Sequence, residues 1–392
     1  GRVPCTSCGA LISRWAPAKP SLPLLILIIR VSKSGFSFGE FIGPIVTVLY
    51  TFAVMSFLCL LIGAQFSFAC ALACAPSKKE TALGRVYLCE ALGSVIGGVL
   101  FTYILIGSVP TLIITLALSL GCIHASTLIA NKIALKGTLL TVAALAVLFV
   151  YFKIEPAVNK LQWKQYQLMQ QREARNATVS LVRLGSIKNV FVDGMLSASF
   201  PNHENYEPAA HWPLLATANP RKILVIGDLS LGTLKEVLKH NPRSVDFVVL
   251  DHSILDLLSP YLDADDAAAL GDPRVAVHYG DARLFLKEKK NKYDAVIINI
   301  QEVPNLKLNR FYTQEFYSQI KSALGPNGVA AFSAASSENY LSRQTRMLNA
   351  SVYRTLASVF ETTEIIPGDS ITFLSSPSAI DMRKETILER FS

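Results

Sequence analysis

Cysteine is missing from the larger part of this chain: all seven cysteines lie at or before Cys122. A disulfide framework in the C-terminal half is thereby excluded. Cys59, Cys70, Cys74, Cys89 and Cys122 sit in apolar runs, where cysteine serves as a small packing residue. Cys5 and Cys8 have CxxC spacing, but no second pair or histidine partner accompanies them, and no metal site is expected. Charge is scarce as well, at 17% against 51% hydrophobic residues. The scarcity is local: charged residues are rare before about residue 153 and recur every few positions after it. A chain soluble throughout is not expected from that composition. No basic stripe interleaved with aromatics is present, so the net charge of +8 does not indicate a nucleic-acid partner. Basic residues flanking membrane spans account for it.

An initiating methionine is also lacking. The chain opens on Gly1, which reads as a processed or partial chain missing N-terminal spans. Leu24 to Ile29 is too short to cross a bilayer, which takes about 20 residues. It reads as the remains of a span or as an interfacial segment within 1–40. Region 41–152 then carries about four apolar stretches, beginning near Phe41, Val86, Val109 and Gly137. They predict a bundle of transmembrane helices. Gly93 and Gly97 are four apart, so that face is expected to pack closely on another membrane helix or subunit. Orientation is undecided: Lys78, Lys79, Arg85, Lys132 and Lys136 oppose Lys153, Lys160 and Lys164 under the positive-inside rule. Residues 153–177 read as a polar, helical linker.

The C-terminal half changes rhythm. Two short β-like segments occupy Val179 to Arg183 and Asn189 to Val192, and Asp193-Gly194 signals a hairpin. These place a small β subdomain at 178–215. From Ile223 onward, strand-like runs alternate with helical ones, which predicts a parallel sheet with helices on both faces over 216–392. In such sheets the ligand lies beyond the carboxyl ends of the strands. Gly227, Asp251, Asp281 and Asn299 all fall there.

Several motifs in series resemble spermidine synthases. They are Ala218-Asn219-Pro220-Arg221-Lys222-Ile223-Leu224-Val225-Ile226-Gly227, Gly232-Thr233-Leu234-Lys235-Glu236-Val237-Leu238-Lys239-His240, Asp272-Pro273-Arg274-Val275, Gly280-Asp281-Ala282-Arg283 and Phe311-Tyr312-Thr313-Gln314-Glu315-Phe316-Tyr317. Gly84-Arg85-Val86-Tyr87-Leu88-Cys89-Glu90-Ala91-Leu92-Gly93-Ser94 is similar to the last spans of bacterial proteins fusing a transporter-like membrane domain to a spermidine-synthase domain. The resemblance implies a Rossmann-like, methyltransferase-type domain in a bacterial inner-membrane protein. It also implies a donor, decarboxylated S-adenosylmethionine or a related nucleoside, and a polyamine acceptor.

Carried over residue by residue, it assigns Gly227, Gly232, Asp251, Asp281 and Ala282 to the nucleoside. Tyr206, Glu207 and Glu302 are assigned to the polyamine. The departures weigh on chemistry. The turn reads Gly227-Asp228-Leu229-Ser230-Leu231-Gly232, with leucines expected to crowd the ligand at 229 and 231. Val249 stands where the ribose acid is expected, and Asn299 where the general base is expected. An amide has no useful basicity near neutral pH. Glu302 is the one stand-in base. The expected function is therefore a membrane-anchored spermidine synthase-like protein with an eroded site, serving as a non-catalytic structural or interaction module. An active aminopropyltransferase and a nucleoside- or polyamine-sensing transporter-like protein are the alternatives.

Overall fold

The computed structural model describes residues 43–74, 79–106, 108–129, 155–163, 165–173, 177–201, 203–227, 231–287, 292–300, 309–337 and 341–391, with isolated positions besides. The expected partial span in 1–40 and the fourth span at 137–152 lie almost wholly outside these residues. The chain divides into two compact units: 1–186 with 191–196, and 187–190 with 197–392.

The first unit opens with helices α1 (Pro44–Cys74), α2 (Lys79–Leu100) and α3 (Thr111–Ile129), and a π-helical turn at Phe101–Leu105 extends α2. α1 runs 31 residues without a charged side chain. Among the described residues, one segment, Gly84–Leu105, is long and apolar enough to cross a membrane. Its large side chains face outward, with Tyr87 68%, Val95 64% and Ile96 59% exposed. Nothing described lies within 4 Å of a Cβ built on Gly93 or Gly97, so that face is open among the described residues. Helix α4 (Glu155–Gln162) follows, and then strands β1 (Gln167–Glu173) and β2 (Thr178–Leu184) pair antiparallel.

The helical reading of 153–177 holds over α4 and is corrected at β1. Gln167–Glu173 carries no apolar alternation of its own, and its strand is specified by β2, with Gln171 opposite Ser180. Strands β3 (Ile187–Val192) and β4 (Met195–Phe200) complete a four-stranded sheet in sequence order. The turn between them holds Asp193 and Gly194 at φ 52° and 85°, the left-handed pair that a two-residue hairpin demands. Asp193 Oδ1 fixes it by accepting the Thr178 N–H at 2.8 Å.

The second unit is built on a seven-stranded sheet. Its elements are α5 (His203–Ala216), β5 (Lys222–Ile226), α6 (Leu231–Leu238), β6 (Ser244–Val249), α7 (His252–Leu258), α8 (Ala264–Leu270), β7 (Val275–Tyr279), α9 (Ala282–Leu286), β8 (Tyr293–Ile298), α10 (Gln314–Ala323), β9 (Leu324–Ala335), α11 (Arg343–Ala357), β10 (Thr362–Ile366), β11 (Ser370–Ser376) and α12 (Lys384–Phe391). Strand order is β10-β11-β9-β8-β5-β6-β7. The five strands from β9 to β7 are parallel, and β11 and β10 add antiparallel at the far edge.

The central strands are apolar at successive positions because both faces are covered. Ile223 and Val225 point to one face, joining Ala210, Leu214, Leu231, Leu234, Leu255 and Ala269 from α5 to α8. Leu224 and Ile226 point to the other, joining Leu286, Phe316, Ile320 and Leu356 from α9, α10 and α11. This arrangement is the Rossmann-like, methyltransferase-type architecture. Successive strands run outward from β5 to β6 and β7, and then β8 starts on the opposite side of β5. That reversal makes the carboxyl ends of β5 and β8 the place where a ligand crevice opens.

Candidate functional site

Three backbone hydrogen bonds tie the carboxyl ends of the parallel strands together. Gly227 N–H donates to Val248 O at 3.1 Å, Gly280 N–H to Val249 O at 2.9 Å and Asn299 N–H to Ile226 O at 3.0 Å. Gly227 leaves β5 at φ 146°, a backbone angle that side-chain-bearing residues rarely adopt. The turn that follows, 228–230, lies outside the described residues, and so does Glu302.

Leu231 departs from the expectation that it would crowd a ligand. It is fully buried in the α5–α8 core. The helix α6 directs it behind the sheet, so it takes no space at the strand ends. At Gly232 packing by itself excludes a side chain. A Cβ there would lie 2.1 Å from Cδ2 of Tyr206, whose ring packs directly on the helix. Tyr206 is 8% exposed, stacks on Phe200 at 6.0 Å between ring centroids, and donates to Ser199 O at 3.4 Å. Burial raises its hydroxyl above the ordinary tyrosine range, with Asp266 adding to the effect. The structure thus places Tyr206 in a helix–helix contact.

Asn299 sits just past β8, in the crevice position. Its Nδ2 donates to Thr233 Oγ1 at 3.3 Å, and Thr233 is fully buried. Val249 is also fully buried and offers no polar group. Asp251, past the end of β6, has His252 Nδ1 at 4.0 Å from its Oδ1. Asp281 follows β7 and caps α9, accepting the Arg283 N–H at 2.9 Å. Its other oxygen, Oδ2, faces Arg310 Nη1 at 3.1 Å. Ala282 packs fully buried against the α9–α11 core. Tyr312 donates to Ile300 O at 2.9 Å and holds the segment after β8.

Glu207 stands apart from these groups. It is exposed on α5 and lines an open groove of about 760 Å³ with Lys235, Glu236, Lys239, Asp265 and Asp272. None of the strand-end residues lines that groove. Beside it Glu236, 1% exposed, pairs with Lys239 and with His211 Nε2 at 3.2 Å, and His211 meets His240 at 2.7 Å. Burial opposes ionisation of Glu236, but Lys239 and His211 outweigh it and hold its carboxyl below the usual range. Among the described residues no group of three or more acids, histidines or cysteines is arranged to hold a metal.

Arg310, Thr233 and Tyr312 are the site groups that sequence reasoning missed. A cation immediately before Phe311-Tyr312 was the available signal for Arg310. For Thr233 there was none, because only the fold brings it to Asn299.

Residues 203–373 match the spermine/spermidine synthase domain family. A polyamine aminopropyltransferase of Korarchaeum cryptofilum is 32% identical over 153 residues, covering 39% of this chain and 47% of the relative. One from Oceanobacillus iheyensis is 27% identical over 277 residues, covering 66% of this chain and 53% of the relative. The chain spans about half the length of the curated relatives it matches. A crystal structure of spermidine synthase in complex with a transition-state analogue superposes with a TM-score of 0.50 at 21% identity, over 58% of this chain and 77% of that one. It shares the fold. The chain therefore carries a spermidine synthase-like domain on a Rossmann-like scaffold.

Proposed function

We propose that this chain is a membrane-tethered spermidine synthase-like protein that binds a nucleoside at its strand ends without performing ordinary aminopropyl transfer. Asn299 carries the reading. An amine nucleophile is mostly protonated at neutral pH, and a positioned base must take that proton before nitrogen can attack. At the crevice end of β8 the chain offers an amide, already donating to Thr233. Val249 removes a second acid from the same pocket. The domain then acts as a binding or interaction module of a membrane assembly.

The second reading is an active aminopropyltransferase. It is favoured by the relatives, which carry that name. A turnover assay on the full chain in detergent, with decarboxylated S-adenosylmethionine and putrescine, separates the two. The first reading expects no transfer, together with binding of 5′-methylthioadenosine in a calorimetric titration. Transfer at ordinary enzymatic rates, abolished by Glu302→Gln, would refute it and make Glu302 the base.

The membrane part of the proposal rests on Gly84–Leu105, with mean hydropathy 1.8 and no part of it buried within the chain. Apolar surface exposed all round a helix needs lipid or other helices to cover it. The Oceanobacillus iheyensis match adds support, because 66% of this chain is more than residues 155–392 contain. The similarity therefore runs into the apolar half. On this reading the chain is integral to a bacterial inner membrane, with further helices or subunits covering the Gly93–Gly97 face.

A further inference from the structure

We propose that Arg310 sets the charge of the ligand this site accepts, favouring a neutral thioether nucleoside over a cationic sulfonium nucleoside. The inference rests on the nucleoside reading above and deepens it.

A crevice that holds a sulfonium or ammonium group needs carboxylates whose charge is not already spent. The described strand ends present few. Asp281 has one oxygen on the Arg283 N–H at 2.9 Å and the other on the Arg310 guanidinium at 3.1 Å. A guanidinium stays protonated at every physiological pH, so this neutralisation is permanent. Arg310 is also seated: its guanidinium carbon lies 4.9 Å from the centroid of the Phe311 ring, and Phe311 is 1% exposed. The ring fixes the cation where a looser side chain would swing into solvent. At the two neighbouring strand ends Val249 and Asn299 carry no charge. Asp251 has His252 at 4.0 Å.

The electrostatic consequence does not depend on direct contact. The Asp281 and Arg310 side chains are 27% and 45% exposed, so the pair borders solvent and its field is partly screened. Even so, a ligand of charge +2 about 8 Å from an uncompensated carboxylate would be favoured by roughly tenfold at a near-aqueous effective dielectric constant, and Arg310 cancels that attraction. A neutral thioether with the same base and ribose feels none of this. The discrimination comes from an attraction withheld from the cation, a difference between the affinities of two related ligands.

The test titrates the full chain in detergent with 5′-methylthioadenosine, neutral at pH 7.5, and with decarboxylated S-adenosylmethionine, which carries a sulfonium and an ammonium. Wild type is expected to bind the thioether more tightly. Arg310→Gln and Arg310→Met should each move the ratio of the two affinities about tenfold towards the cation, and Arg310→Lys should keep the wild-type ratio. Two substitutions guard against a folding defect in either one. Binding of both ligands with a ratio unmoved by Gln and Met overturns the role of Arg310 and leaves the nucleoside reading standing. Failure of wild type and both variants to bind either ligand overturns the nucleoside reading, and this inference with it.

Discussion

Replacing Gly232 by alanine tests what that glycine is for. The new methyl group would sit 2.1, 2.5 and 2.6 Å from three carbons of the Tyr206 ring, where ordinary contact needs about 3.5 Å or more. The ring would have to retreat by over an ångström. It is confined by Phe200 on one side and tethered by its hydroxyl to Ser199 O. Overpacking of this kind costs about 1–3 kcal/mol, and occasionally more. The alanine would return up to about 1 kcal/mol in helix propensity. A net loss of about 2 kcal/mol corresponds to a fall in melting temperature of roughly 4–8 °C for a domain near 200 residues.

Tyr206→Ala alone should cost about 3–5 kcal/mol by leaving a cavity against α6. In that background the added methyl meets no ring, so Gly232→Ala should be neutral or slightly stabilising. The coupling between the two positions is then about 2–3 kcal/mol. Thermal unfolding of the four chains in detergent, followed by tryptophan fluorescence, measures it, since Trp212 lies on α5 itself. Equal effects of Gly232→Ala with and without Tyr206 would show that the glycine does not serve the tyrosine. A ligand role for it would then return.

Asn299→Asp on its own is expected to leave aminopropyl transfer undetectable, because Val249 still provides no ribose acid; turnover above background in that single variant would sink the idea of a doubly impaired pocket. Asp246 accepts hydrogen bonds from Tyr293 at 2.6 Å, His278 at 2.9 Å and Lys292 at 3.0 Å. Burial works against its charge, yet those partners hold its carboxyl below the usual range. Its stabilisation is therefore present above the unfolded-state value near 3.9 and lost as pH falls through the lower folded value. Asp246→Asn should cost about 1.5–3 kcal/mol at pH 7, and the gap to wild type should narrow as the pH falls below the ordinary carboxylate range. A gap that persists undiminished in acid would contradict the assignment.

Asp266 behaves in the opposite sense: burial, aided by Asp263, pushes its carboxyl up to about 6. Its charged form is the disfavoured one in the fold, so stability falls as pH rises from near 4 through 6. Asp266→Asn should raise stability by about 1–2 kcal/mol at pH 8 and by little at pH 4, and a loss at pH 8 would reverse that reasoning.

The doubly covered sheet was legible because burial on two faces writes a continuous apolar run, as in Ile223–Ile226 and Val245–Val249. The Asp193-Gly194 turn was legible because only a few residue types tolerate its backbone. β1 was not, since Gln167–Glu173 takes its conformation from β2 and has no pattern of its own. Leu231 misled for a related reason: a motif fixes a position along the chain, and the helix decides which way the side chain faces. Glu207 and Tyr206 were assigned to a substrate by motif position, whereas α5 turns one to an open groove and the other onto α6. The Asp281–Arg310 pair joins residues 29 positions apart, and neither flanking motif signals the other. Of the apolar helices, the composition was plain and the boundaries were not. The run beginning near Phe41 is a helix ending at Cys74.

The three hydrogen bonds at Gly227, Gly280 and Asn299 have a dynamic consequence. Amides next to an open crevice ordinarily exchange with solvent through small local fluctuations. These three belong to the ladder of the central strands, so releasing any of them requires parting β5 from β6 or β8, or β6 from β7. Their deuterium uptake should follow the slow regime of the buried sheet, not that of the surrounding loops. The floor of the crevice is then a fixed template.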